Sequence, residues 1–103
     1  MADDARVERN AAKHRYELYV GETLAGFARY HESGNRVVFT HSEVDDAYSG
    51  HGLGTVLAAG ALDDAVAREK VIVPMCPFIA AYLRKHPDDY AGHVEAPPAS
   101  ATS

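Results

Sequence analysis

The chain has 103 residues and a net charge of −5, from 10 basic and 15 acidic side chains. That length supports one domain. The basic residues are scattered, and only Arg84 and Lys85 adjoin, which argues against the clustered cationic surface of a nucleic-acid binder; no apolar run is long enough to span a bilayer.

The start, Met1-Ala2-Asp3-Asp4, is acidic and has no apolar signal core. The sole cysteine, Cys76, has no internal partner for a disulfide, which fits a reducing compartment. Together these lead to the expectation of a cytoplasmic protein. Residues 1–13 are charged and without pattern, and residues 96–103 are Ala, Pro, Ser and Thr. Both segments are expected to be flexible, because neither holds enough apolar surface to repay ordering. The folded domain is then 14–95, roughly 80 residues and near the lower end of what one core supports. A monomer or weak dimer is expected, with a ligand contributing stability.

Arg15 to Val20 reads as a strand, with Tyr16, Leu18 and Val20 on one face. Gly21-Glu22 offers a tight turn. Thr23 to Tyr30 reads as the next strand, and Gly26 within it marks a bulge or a close backbone approach. Glu32-Ser33-Gly34-Asn35 is a turn signal. Arg36 to Val44 is the third strand, centred on Val37, Val38 and Phe39; in it His41 and Glu43 are expected on the same face as Phe39. Short connections make an antiparallel meander the simplest arrangement.

The segment Tyr48-Ser49-Gly50-His51-Gly52-Leu53-Gly54 follows. Its three alternate glycines permit tight turning and close approach to main-chain N–H groups. They precede a helix expected from about Gly52 to Glu69, with Leu57, Ala58, Ala61, Leu62 and Ala65 forming a stripe. Asp64 and Arg68 are four apart, spaced to pair. A strand, a glycine loop and a helix N-terminus make a seat for a phosphate or pyrophosphate. This is not a dinucleotide-binding fingerprint, because Thr55 stands where the third glycine belongs. Val71-Ile72-Val73 suits a buried strand, parallel to the third through a right-handed crossover. Pro77 is placed to begin a last helix that His86-Pro87 ends. The predicted order is β-β-β-α-β-α, an α+β fold with helices packed on a small mixed sheet.

Phe39-Thr40-His41-Ser42-Glu43-Val44, the glycine segment, and Val73-Pro74-Met75-Cys76-Pro77-Phe78-Ile79 continuing to Pro87 together resemble a known family. They are similar to the short, single-domain branch of the GNAT acyl-CoA N-acyltransferases, over roughly half the chain, and Pro74-Met75-Cys76-Pro77-Phe78 is the specific part. The superfamily loop is Arg or Gln, two residues, Gly, any residue, then Gly or Ala. Gly52 and Gly54 match it, and Ser49 stands at the Arg/Gln position. The resemblance implies a minimal GNAT-like fold, acetyl-CoA or coenzyme A as cofactor, and an amine acceptor: a protein lysine, a protein N-terminus or a small amine.

It further implies that Ser49, Gly50, His51, Gly52, Leu53, Gly54 and Thr55 hold the pyrophosphate, with backbone donors from His51 to Thr55. The backbone of Val44 would pair with the pantetheine arm where the two parallel strands splay apart, and Cys76 and Pro77 would lie near the thioester. His41 or Glu43 is a candidate general base. Cys76, at a helix cap, is a candidate nucleophile, a pocket-lining thiol or a small buried hydrophobe. Tyr82 is a candidate acid for the leaving thiolate, or a core residue. Arg84 and Lys85 suit the helix dipole or a 3′-phosphate. The histidines lack metal-ligand spacing, so no metal is expected. An N-acetyltransferase acting by direct amine attack is the expected function. A non-catalytic coenzyme- or partner-binding module of the same fold is the alternative, and a nucleotide-binding regulator a third.

Overall fold

Alternating apolar and polar residues build four antiparallel strands: β1 (Ala5–Asn10), β2 (Arg15–Val20), β3 (Thr23–Ser33) and β4 (Arg36–Val44). Helix α1 (Leu53–Ala67) then crosses back, β5 (Val71–Pro74) joins β4 in parallel, and α2 (Pro77–Lys85) follows. The sheet order is β1-β2-β3-β4-β5, an α+β mixed sheet with two helices. These observations come from a computed structural model that describes residues 5–48 and 52–95. Among them, no helix is long and apolar enough to cross a membrane.

One strand corrects the sequence reading. Residues 5–13 are not loose: Ala5–Asn10 pairs along the whole of β2, and Ala11–Lys13 forms a 3-10 turn capped by the Asn10 side chain. Only Val7 supplies a large apolar group there, so composition gave no warning. Its contribution is to pack against α1 at Gly60, where an added Cβ would lie 2.7 Å from Val7 Cβ. Charged Arg6 and Glu8 point outward on this edge strand, which also discourages pairing with other chains. Residues 1–4 and 96–103, the remainder of the segments expected to be flexible, lie outside the described residues.

The core lies between one sheet face and the helices. Tyr16, Leu18, Tyr30, Val37, Phe39 and Ile72 meet Leu57, Ala58, Ala61, Leu62 and Ala65 of α1 and Ile79 of α2 in one buried cluster. Alanine at the α1 interface lets the helix approach the sheet closely. Each fully buried Leu or Ile contributes about 1.5–3 kcal/mol. Tyr16 hydroxyl donates to Asp64 at 2.7 Å, and Arg68 reaches Asp64 at 3.1 Å and Glu32 at 3.0 Å, so the expected Asp64–Arg68 pair is part of a network joining α1 to β2 and β3. Burial, then the bond to Asp64, push the Tyr16 hydroxyl well above its ordinary range, so it remains a donor.

Two bulges interrupt the ladders. Leu18 faces Gly26 while Tyr19 faces Leu24, so Ala25 is the extra residue on β3. Gly26 also makes the close approach its sequence position suggested: a Cβ there would lie 2.5 Å from the Glu43 carbonyl oxygen. On β4, Arg29 faces His41 while Tyr30 faces Phe39, so Thr40 is extra. This second bulge overturns the expected facing of His41 and Glu43. Alternation restarts after Thr40; Phe39 is fully buried whereas His41 and Glu43 are exposed on the other face.

Among the described residues that other face has one buried charge, Glu17, which accepts bonds from Tyr19 hydroxyl (2.8 Å), Arg15 (2.7 Å) and Asn10 (3.3 Å). Burial pulls its carboxyl upward, but these three donors outweigh it and hold it below the usual carboxylate value. The unfolded carboxyl titrates near pH ~4.3. Glu17 therefore stabilises the fold above that pH, and the contribution is lost as pH falls through the lower folded value. Urea midpoints between roughly pH 5 and pH 3 should fall more steeply for the wild type than for Glu17→Gln; equal slopes would contradict the assignment. Separately, Gly60→Ala should cost about 1–3 kcal/mol in urea unfolding, because overpacking against Val7 outweighs the gain in helix propensity. An unchanged midpoint would mean that β1 does not dock on α1.

Candidate functional site

The parallel ladder between β4 and β5 ends early. Its last register pair is Phe39 with Pro74. Met75 N–H turns back to the Val73 carbonyl at 3.1 Å, and Cys76 N–H donates to Phe39 at 2.8 Å. The chain then enters α2 with Pro77 at the first helical position. Residues 40–44 of β4 run on past this point, leaving a gap between β4 and α2.

Main-chain groups of β4 face that gap. Asp45 N–H donates to the Ala25 carbonyl at 2.7 Å. In an antiparallel pair bonded and non-bonded positions alternate, so Val44 and Ser42, at non-bonded positions, turn their N–H and C=O groups away from β3.

Helix α1 begins against the same gap. Its N-cap is Gly52 in the left-handed region (φ 75°), and no side chain caps the helix. Leu53, Gly54 and Thr55 thus open the helix with N–H groups that have no intrahelical acceptor, at the positive end of its dipole. Gly54 keeps this end open: a Cβ there would lie 3.0 Å from Phe78 Cζ and 4.0 Å from Val44 Cγ2. Ser42, Glu43, Val44 and Phe78 line a cavity of about 190 Å³ beside it. Ser49, Gly50 and His51, the remaining loop residues singled out in the sequence, lie outside the described residues.

Cys76 closes the inner end. It is the N-cap of α2, 3% exposed, and its thiol donates to Ser42 Oγ at 3.4 Å. Ala80 N–H bonds to its carbonyl at 2.9 Å, so its backbone is held on both sides.

His41 and Glu43 form a pair, Nε2 to Oε2 at 2.7 Å, on the solvent-facing side of β4. They are therefore on the opposite side of the strand from Ser42 and Cys76. Glu43 borders the first cavity and also a second one of about 190 Å³, lined by Leu24, Ala25, Gly26, Phe27, Glu43 and Asp45.

Tyr82 lies elsewhere. It stacks on His86 at 4.3 Å and leans on Tyr90, whose hydroxyl donates to Asp63 at 2.9 Å. Burial, then the bond to Asp63, raise the Tyr90 hydroxyl far above its ordinary range. Tyr82 is about 9 Å further along the helix axis than Cys76 and packs α2 onto the C-terminal segment. Arg84 and Lys85 are exposed in the last turn of α2, where positive charge suits the dipole.

The structure thus brings Gly54, in the first turn of α1, beside Val44, and Cys76 beside Ser42, while Pro77 opens α2 in an exposed position; it sets His41 and Glu43 across the strand and leaves Tyr82 apart. Sequence reasoning missed Ser42 as the partner of Cys76 and Phe78 as the wall facing Gly54. Alternation through a regular strand would have exposed Ser42, and only the Thr40 bulge turns it inward.

A protein-family model described as GCN5-related N-acetyl-transferase matches residues 15–93, from the first residue of β2 to His93 beside β5. Strand β1 precedes the matched span. A search of curated proteins finds no match.

Proposed function

Because the chain belongs to the GCN5-related N-acetyl-transferase family, we propose that it moves an acetyl or other short acyl group from coenzyme A to an amine. The family supports an acyl-transfer role in general. The donor site and the amine acceptor are our reading, carried by one observation: β4 and β5 part at Pro74, directly beside the uncapped start of α1.

The residues present fit a coenzyme A. N–H groups of Leu53, Gly54 and Thr55 suit its pyrophosphate, since anions are favoured at a helix N-terminus. The outward-turned main chain of Val44 suits an amide-bearing arm lying alongside it as an added strand. Gly54, lacking a side chain, leaves room between α1 and Phe78. Cys76, buried at the cap of α2, closes the inner end, and Pro77 follows it at the first helical position.

When bound, the coenzyme supplies an acyl thioester: the acceptor nitrogen forms a C–N bond to the acyl carbon, the C–S bond breaks, and coenzyme A leaves as the thiol. The chain's own task is to position the partners and take the proton of the amine. Glu43 borders the cavity while its side chain projects from the other face of β4, and it is our candidate base. His41, at 2.7 Å from it, borders neither cavity and is a positioning residue that fixes the carboxylate. Cys76 is a lining thiol bonded to Ser42 rather than the attacking group. The rival reading, a coenzyme-binding module without turnover, shares the groove but would give binding and no acetylated product.

Calorimetry with acetyl-CoA and an amine acetylation assay test the proposal together. Gly54→Leu should lower acetyl-CoA affinity about tenfold or more and leave the melting temperature nearly unchanged, because Gly54 has ordinary helical φ and its neighbour Phe78 is exposed. Undiminished affinity in that variant, or no heat with the wild type, would overturn it.

A further inference from the structure

Ser42 carries a donor that the fold leaves unspent. The Thr40 bulge turns its side chain to the inner face of β4, opposite Ala28 of β3, whose methyl offers no acceptor. There its oxygen accepts the Cys76 thiol at 3.4 Å. A hydroxyl has one hydrogen and two lone pairs, and the Ser42 hydrogen has no acceptor among the described residues. Ser42 is half-buried and lines the cavity beside α1 with Glu43, Val44 and Phe78. Val44 and Phe78 are apolar, and Glu43 projects from the other face of β4. Ser42 is thus the one hydroxyl among the residues lining that cavity. From the start of α1 inward the order is Gly54, Val44, Ser42, Cys76: Gly54 stands beside Val44, Ser42 is two residues back along β4, and Cys76 lies behind it.

We propose that Ser42 donates its hydroxyl hydrogen to the carbonyl oxygen of the acyl thioester, with Cys76 as the positioning residue behind it. This rests on the acyl-transfer reading above, which it deepens by assigning a catalytic side chain inside the donor site. With the pyrophosphate at the first turn of α1 and the amide-bearing arm along Val44, the acyl end is the part that reaches Ser42. As the amine nitrogen forms its bond to the acyl carbon, the carbonyl π pair moves onto oxygen. A donor held at that oxygen favours the developing charge more than it favours the resting thioester. When the pair returns, the C–S bond breaks, and the sulfur leaves as the thiol with the proton released by the amine. Ser42 keeps its own proton throughout. The Cys76 S–H, donating into Ser42 Oγ, orients the hydroxyl and polarises its O–H. Cys76 is itself fixed, its N–H donating to Phe39 at 2.8 Å and its carbonyl accepting from Ala80 at 2.9 Å.

Acetyl-CoA labelled with carbon-13 at the thioester carbonyl, bound without any amine, reads this contact by infrared spectroscopy, because a hydrogen bond to a carbonyl lowers its stretching frequency. On the wild type the labelled band should lie below its position in an apolar solvent. Ser42→Ala should still bind acetyl-CoA, and its band should rise; Ser42→Thr, which keeps the hydroxyl, should hold the low position. Cys76→Ala, which removes the S–H behind Ser42, should give a band between those of the wild type and Ser42→Ala. With an amine present, kcat of Ser42→Ala should fall about tenfold, the scale of one hydrogen bond, with KM nearly unchanged. A band at the same frequency on the wild type and Ser42→Ala would overturn the assignment. So would a wild-type band at its apolar-solvent position, a result that needs no variant. Wild-type protein that fails to bind acetyl-CoA at all would overturn the donor-site reading, and this assignment with it, so the two failures are told apart by binding.

Discussion

The turn that ends a four-residue parallel strand governs the geometry of this molecule. Val71 N–H bonds to Asn35 beside β4 while Ile72 N–H bonds to His93 on the other side, so the donor due next to β4 after Val73 is Met75; it turns back to Val73 instead, and Cys76 N–H makes the last bond to β4, at Phe39. Pro77, the residue after Cys76, commits the chain to a helix. β4, still paired to β3, cannot follow. The wedge that results is therefore a consequence of backbone hydrogen-bond supply, and it leaves the main chain of Val44 facing outward with no strand beside it.

The rest of the fold holds this wedge in shape. Helix α1 must start at its mouth, and its stripe of alanine and leucine lets it press flat on the sheet. At the far end of α1, Asp64 and Arg68 tie the helix to Tyr16 and Glu32. Strand β1 adds a further brace through Val7 at Gly60. Beyond β5, Ile72 exchanges main-chain bonds with His93 and Glu95, and Arg36 pairs with Glu95 at 2.9 Å, so the C-terminal segment covers the edge that β5 would otherwise expose. A domain this small has few contacts to spare, and they are distributed to fix α1 at both ends.

Much of this was legible in the residues. Strong alternation set β2 and β4 at their observed limits, and Pro77 with His86-Pro87 set α2. The order of elements placed the start of α1 directly after β4 and its short connection. What was illegible has physical causes. β1 holds one large apolar residue and is fixed by a partner rather than by its own pattern. The bulge at Thr40 leaves no composition signal, yet it decides which way residues 41–44 point; it sets His41 and Glu43 on the face opposite to the expected one and turns Ser42 inward. Tyr82 fits a helical apolar side equally well in a site or in packing, and only its stacking on His86 distinguishes the two.

The central claim is that the wedge between β4 and α2, with the first turn of α1, holds the acyl carrier. Hydrogen exchange of backbone amides, with and without acetyl-CoA, reads this at single residues. The account predicts slowed exchange at Val44, Leu53, Gly54 and Thr55, with Asp64 and Arg68 at the other end of α1 unaffected. Protection that spares Val44 and Gly54, or that gathers at the Asp64 end, would contradict it.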